Sequence, residues 1–94
     1  GVSSGFNLNQ KLAEFSATLD VRGKRAEEVF SIVDTFMDNA VLFGRNEVQI
    51  LHGKGDGVLR KIIREHLKGL PYILSMQDAH VERGGAGITV IHLR

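Results

Sequence analysis

Polar and apolar residues alternate in the first patterned stretch of the chain, residues 18–22 (TLDVR), with the period of two that is typical of a strand. Leu19 and Val21 point to one face of this strand, and Asp20 and Arg22 point together to the other. A second strand is predicted at residues 47–51 (EVQIL), which are rich in Val and Ile.

Two stretches with helical spacing follow these strands. Between about residues 25 and 43, apolar side chains recur at helical spacing: Ala26, Val29, Phe30, Val33, Phe36, Met37, Ala40 and Val41. Gly44 is a natural end for this helix. A second helix is predicted at residues 57–68, before Gly69 and Pro71, with an apolar stripe of Val58, Leu59, Ile62, Ile63 and Leu67.

The end of the chain predicts two further strands. Residues 72–81 form a less regular third strand, a glycine-rich turn follows at residues 83–87, and residues 88–93 are strongly β-branched. The order β-α-β-α-β-β predicts an α/β fold, a compact two-layer sandwich with a mixed sheet of about four strands and two helices. Strand–helix–strand units predict parallel pairs with right-handed crossovers, and the last two strands should be antiparallel. Helices on one side would leave the other sheet face open.

Length and composition predict one domain. Residues 17–94 carry the patterning, whereas residues 1–16 are weakly patterned and are interpreted as an N-terminal tag, linker or arm. The chain has no cysteine, which excludes disulfides and cysteine-based zinc sites. It also has no apolar run long enough to span a membrane and no signal-peptide pattern, so we expect a cytoplasmic protein.

Charge is segregated along the chain, although the formal net charge is only +1. The first helix carries the acidic residues Glu27, Glu28, Asp34 and Asp38. The segment after the second strand carries five basic ones: Lys54, Arg60, Lys61, Arg64 and Lys68. Such a distribution can steer an anionic partner to one side of the domain.

Residues 52–60 (HGKGDGVLR) form a glycine-rich loop between the second strand and the second helix. Alternating glycines allow positive φ angles and expose backbone N–H groups, next to the positive end of a helix dipole. The loop is therefore suited to hold an anion such as phosphate, with side chains that add charge. Its spacing fits neither the phosphate loop of NTPases nor the dinucleotide-binding pattern. The predicted phosphate contacts are Gly53, Lys54, Gly55, Gly57, Arg60 and Arg64.

Three segments together resemble the signatures of the Smr (small MutS-related) domain: residues 19–23 (LDVRG), residues 52–60 and residues 84–91 (GGAGITVI). The resemblance is greatest to the C-terminal Smr domain of the MutS2 family. It implies a fold like that of the C-terminal domain of translation initiation factor three, and a nicking endonuclease acting on DNA or, in some relatives, RNA. It also implies a longer, oligomeric protein with ATP-binding ATPase domains, whereas the isolated domain is expected to be a monomer.

The catalytic candidates are Asp20, Arg22 and His52. Asp20 matches the acidic position of the first signature and could act as general base or metal ligand; the alternative is an ion pair with Arg22 or a neighbouring basic residue. Arg22 could clamp a phosphate through its planar guanidinium. His52 could act as general acid or base, or orient the phosphate, and its alternative is a hydrogen bond to the loop backbone. The cofactor could be Mg²⁺ or Mn²⁺, and Asp20 is the one acidic residue near the loop that is a candidate metal ligand.

Two functions of different classes remain open from the sequence. The first is a nicking endonuclease of little sequence specificity that acts on DNA, including branched recombination intermediates. The second is a non-catalytic module that binds DNA, RNA or the ribosome, in recombination suppression or collided-ribosome rescue. Asp20 discriminates between them, because a carboxylate facing phosphate serves hydrolysis but does not serve binding alone.

Overall fold

The computed structural model describes residues 15–94, which form four strands and two helices in the predicted order. The elements are β1 (Thr18–Asp20), α1 (Ala26–Leu42), β2 (Glu47–Leu51), α2 (Val58–Leu67), β3 (Ile73–Asp78) and β4 (Ile88–Leu93). The bounds of β2 and β4 are those that the sequence predicts. The predicted arm, residues 1–16, lies almost entirely outside the described residues.

The strands form one mixed sheet in the order β1-β2-β4-β3. β1 and β2 are parallel, while β4 is antiparallel to both β2 and β3. The prediction of a second adjacent parallel pair is therefore wrong, because β4 lies between β2 and β3. β4 alternates half-buried and fully buried residues along its length, whereas four of the six residues of β3 are exposed. The more apolar strand, β4, is therefore buried at the centre of the sheet, and the less regular β3 lies at its edge.

Two predicted strands are too long at their ends. β3 ends at Asp78 rather than at residue 81, because residues Val81–Arg83 form a turn of 3₁₀ helix. A second such turn, Gly85–Gly87, replaces the simple hairpin turn expected before β4. β1 ends at Asp20, although the N–H group of Val21 still donates to the carbonyl of Leu51 at 2.9 Å.

Both helices contribute to a core on one face of the sheet. Apolar stripes of α1 and α2 pack on inward-facing residues of β2 and β4: Val29, Val33, Phe36, Met37, Ala40, Ile63 and Leu67 from the helices, and Val48, Ile50, Ile91 and Leu93 from the strands. On the opposite face the side chains of Gln49, Val90 and His92 are only half-buried. Within residues 15–94, neither helix covers this face, as the sequence predicts.

One end of the sheet gathers the chemically interesting residues. Asp20 pairs with Leu51 and Leu51 pairs with Ile88, so β1 and β2 end where β4 begins. At the same end, Asp78 at the close of β3 pairs with Thr89. Within residues 15–94, neither helix is long and apolar enough to cross a membrane.

Candidate functional site

The three signature segments meet at this end of the sheet. The N–H groups of His52 and Gly53 both donate to the carbonyl of Gly87, at 3.1 and 2.9 Å. A Cβ atom added to Gly53 would lie 3.5 Å from Cγ of Arg22, and one added to Gly87 would lie 3.6 Å from Cγ of Lys54. The side chains of Arg22 and Lys54 therefore lie against these two glycines and on the same small surface.

Asp20 and Arg22 form an exposed ion pair on the face away from the helices. Nε and Nη2 of Arg22 donate to Oδ1 and Oδ2 of Asp20 at 3.0 and 2.8 Å, and the backbone N–H of Arg22 donates to Oδ1 at 3.0 Å. The side-chain hydrogen bonds from Arg22 are the main reason that the pKa of Asp20 is lowered to about 2. The free protein thus holds the ion pair that the sequence admits as the alternative to catalysis.

His52 is buried, with 5% of its surface exposed, and both ring nitrogens contact protein atoms. Nδ1 lies 2.8 Å from the carbonyl oxygen of Gly53, which can only accept, so Nδ1 carries a proton. Nε2 lies 2.8 Å from Oγ1 of Thr89. Burial lowers the pKa of His52, and the nearby Arg64 and Arg60 charges lower it further, whereas the hydrogen bond that the ring donates to the carbonyl of Gly53 raises it. The ring is therefore neutral at pH 7 and accepts from Thr89 through Nε2.

Thr89 is a site residue that the sequence reasoning did not single out. It is fully buried, and its Oγ1 accepts a hydrogen bond from Nε of Arg64 at 3.0 Å while it contacts His52. The available signal was its place in β4, where a polar residue occupies an inward-facing position in line with Ile91 and Leu93. A buried hydroxyl among apolar neighbours indicates a specific partner.

Asp78 is the second residue that the sequence did not indicate, and it engages two predicted phosphate contacts. Its Oδ1 accepts from Nε and Nη2 of Arg60 at 3.1 and 2.8 Å, and from Nη2 of Arg64 at 2.6 Å. The Arg60 hydrogen bond is the main cause of a lowered pKa of Asp78. Both arginines therefore have a carboxylate partner in the free protein, and phosphate must compete with it.

The remaining loop residues are exposed or lie at the helix start. Gly55 and Gly57 take positive φ angles of 41° and 85°. Asp56 Oδ1 accepts from the N–H of Val58 at 3.1 Å, so this carboxylate occupies the first amide of α2. Lys54, by contrast, is exposed beside Gly87. Of the predicted phosphate contacts, Lys54 is thus the cation that stands at the meeting point of the three segments.

The donor set of this site does not fit a divalent metal. Residues 15–94 contain no group of three or more His, Asp or Glu side chains placed to hold a metal ion. Asp20, the one candidate ligand from the sequence, has both oxygens bonded to Arg22. A site for Mg²⁺ would need several oxygen ligands in near-octahedral geometry.

Comparison with known proteins shows similarity along most of the chain. The Smr domain family model matches residues 19–94. Endonuclease MutS2 of Helicobacter pylori is 43% identical over 83 residues, which cover 88% of this chain and 11% of the relative. Endonuclease MutS2 of Clostridium botulinum (strain Loch Maree) is 42% identical over 87 residues, which cover 93% of this chain and 11% of the relative. The chain thus spans about a tenth of the length of these relatives.

Two solved structures share the fold. The Smr domain of Thermus thermophilus MutS2 superposes with a TM-score of 0.78 at 39% identity, covering 82% of this chain and 96% of that one. YdaL, a stand-alone small MutS-related protein from Escherichia coli, gives a TM-score of 0.79 at 25% identity. The match covers 100% of this chain and 78% of YdaL. The α/β architecture predicted from the sequence is confirmed by both.

Proposed function

The chain belongs to the Smr domain family, and from this membership we propose that it is a nicking endonuclease domain of a MutS2-like protein, hydrolysing phosphodiester bonds in DNA. One observation carries the proposal. Arg22, Lys54 and the glycine backbone at Gly53 and Gly87 meet beside the carboxylate of Asp20. The two cations suit a phosphate, and the carboxylate supplies a group that can act on water.

Binding in this proposal is directed to the nucleic-acid backbone. Lys54 and Arg22 contact the scissile phosphate, and Arg60 and Arg64 contact a neighbouring phosphate when it displaces Asp78. Contacts of this kind position the strand but do not read base sequence, so sequence specificity is expected to be low. Branched recombination intermediates are included among the proposed substrates.

The chemical step depends on opening the Asp20–Arg22 ion pair. A phosphate that takes the guanidinium of Arg22 removes the side-chain hydrogen bonds that are the main cause of the lowered pKa of Asp20. The freed carboxylate accepts a proton from water while the water oxygen bonds to phosphorus. The bond from phosphorus to the leaving deoxyribose oxygen breaks, and that oxygen is protonated by solvent. His52, whose nitrogens both contact protein atoms, holds the loop that presents Lys54.

A binding module without turnover is the second candidate function. The pKa of Asp20 and the engagement of both His52 nitrogens favour it, since neither group is free to move a proton in the unbound protein. In this alternative the loop docks on DNA, RNA or the ribosome during recombination suppression or collided-ribosome rescue. For either function, we propose that the longer protein adds ATPase domains and oligomerises.

Nicking of supercoiled plasmid tests the proposal. The chain is incubated alone, with Mg²⁺ or Mn²⁺, and with a chelator, alongside Asp20→Asn, His52→Ala and the control Asp38→Asn, which removes an exposed carboxylate from α1. We expect Asp20→Asn to lower nicking about 100-fold or more and the control to leave it unchanged. Equal nicking by all variants contradicts the site assignment. Retained binding without any nicking by the wild type favours the second function.

A further inference from the structure

The buried pair of Thr89 and His52 lies behind the glycine loop and contacts neither Arg22 nor Asp20 through a hydrogen bond in the described residues. We propose that these two side chains are positioning residues that aim the backbone N–H of Lys54 at the phosphate. The inference rests on the proposed function and deepens it, because it assigns an anion-binding group that is not a side chain. Backbone donors held in advance stabilise developing negative charge without reorganisation.

The hydrogen bonds behind the loop can run in one direction only. Nε of Arg64 can only donate, so Oγ1 of Thr89 accepts from it. Oγ1 donates its own proton to Nε2 of His52, because Nε2 of the neutral ring carries no proton. The carbonyl of Gly53 can only accept, so Nδ1 of His52 donates to it. At one end Arg64 can only donate, and at the other end the carbonyl of Gly53 can only accept. The geometry therefore selects one tautomer of the ring, with its proton on Nδ1.

This tautomer sets the orientation of the peptide between Gly53 and Lys54. The carbonyl of Gly53 points toward the ring, and the peptide is trans, so the N–H of Lys54 points away from the ring. The other side of Gly53 is held as well, because its own N–H donates to Gly87 at 2.9 Å and its φ is 79°. The peptide is thus fixed from both sides, next to the exposed Lys54 side chain.

Burial makes this support stiff. Thr89 is fully buried and His52 is 5% exposed, so water cannot easily replace either hydrogen bond. Removing the hydroxyl of Thr89 would leave Nε2 of His52 without its donor. The ring could then exchange tautomers or rotate, and the Gly53 carbonyl would lose its fixed partner. A misaimed amide weakens phosphate binding and slows the chemical step more than it changes the fold.

NMR of the ¹⁵N-labelled chain tests each step. Ring nitrogen shifts report the tautomer of His52, and titration with inorganic phosphate reports whether the Lys54 amide binds an anion. Thr89→Val removes the hydroxyl at nearly constant volume, and Thr89→Ser restores it as the matched control. We expect the Nδ1–H form in the wild type and in Thr89→Ser. We expect phosphate binding about fivefold weaker in Thr89→Val, because the hydrogen bonds of the hydroxyl with both His52 and Arg64 are lost, and kcat for nicking about tenfold lower.

Three results overturn the inference: a proton on Nε2 in the wild type, a wild-type Lys54 amide that does not respond to phosphate, or a folded Thr89→Val variant that binds phosphate like the wild type. Should Thr89→Val fail to fold, the wild-type tautomer and the Lys54 response still decide the question. A wild type that never nicks counts against the endonuclease alone, since the NMR readouts need no turnover.

Discussion

Arg22 and Asp20 hold each other in a bidentate ion pair, with Nε–Oδ1 and Nη2–Oδ2 distances of 3.0 and 2.8 Å. The cation that suits a phosphate thus neutralises the carboxylate that suits hydrolysis. Substrate binding and activation of Asp20 are therefore coupled in the proposed mechanism. A protein that opens this pair only on its substrate keeps its general base inactive toward water at other times.

The first prediction concerns the titration of Asp20. Because its pKa is about 2 in the folded chain, this carboxylate stays ionised far below the range of an ordinary aspartate. Its interaction with Arg22 is present above the usual aspartate pKa and is lost only as the pH falls toward 2. A ¹³C NMR titration of side-chain carboxyls measures this directly. Arg22→Gln should return the pKa of Asp20 toward the ordinary aspartate value of 3.8. An unchanged titration in this variant would show that Arg22 is not the cause.

The second prediction concerns His52 and stability. Burial lowers the pKa of His52 below 6.5, so the unfolded chain binds a proton there more readily than the folded chain. The contribution to folding is complete above pH 6.5 and decreases as the pH falls below it. Urea unfolding at about pH 7.5 and about pH 5.5 measures the difference in free energy of unfolding. This difference should shrink in His52→Gln and persist in His80→Gln, which removes an exposed histidine. If the free energy of unfolding fell equally between the two pH values in His52→Gln and in the wild type, the prediction would be contradicted.

The third prediction concerns Asp78. Asp78→Asn frees Arg60 and Arg64 from a carboxylate that accepts three hydrogen bonds from them. We expect tighter binding to an oligonucleotide, and a slope of log K against log salt that steepens by up to about 2, one for each released cation. Fluorescence anisotropy across a salt series gives both values. Glu28→Gln makes the same charge change on α1 and should alter the slope little. Identical slopes for the two variants would mean that Asp78 does not restrain these arginines.

The fourth prediction concerns the turn before β4. Gly84 has a φ of 120°, and a Cβ atom there would lie 2.6 Å from Cδ1 of Ile88. Gly84→Ala should therefore lower the free energy of unfolding by about 1–3 kcal/mol. It should also reduce nicking, because Gly87 in this turn accepts from His52 and Gly53. Gly69→Ala has open space and no positive φ, so thermal unfolding should find it close to the wild type. A variant at Gly84 as stable as that control would contradict the steric argument.

The sequence predicted much of the fold, and part of the site, from local patterns. β2 and β4 have the expected bounds, and Asp20 and Arg22 lie together as the alternating pattern predicts, although β1 ends at Asp20. The end of the third strand was predicted less accurately, because its irregular pattern continues into a 3₁₀ turn without a clear stop signal. The roles of Asp20, Arg22 and the loop residues in catalysis and binding stay predictions, for the experiments above to decide.

The element order, the glycine loop and the family resemblance were determined by the sequence alone, because periodicity and turn chemistry depend on neighbouring residues. Tertiary structure decided that β4 lies between β2 and β3, and with it every long-range contact of the site. Thr89 meets His52 across 37 positions, and Asp78 meets Arg60 across 18. Such contacts depend on which strands become neighbours, and a one-dimensional pattern leaves several strand orders open. The loop at residues 52–57 was recognisable from its glycines, but the buried groups that orient it were not.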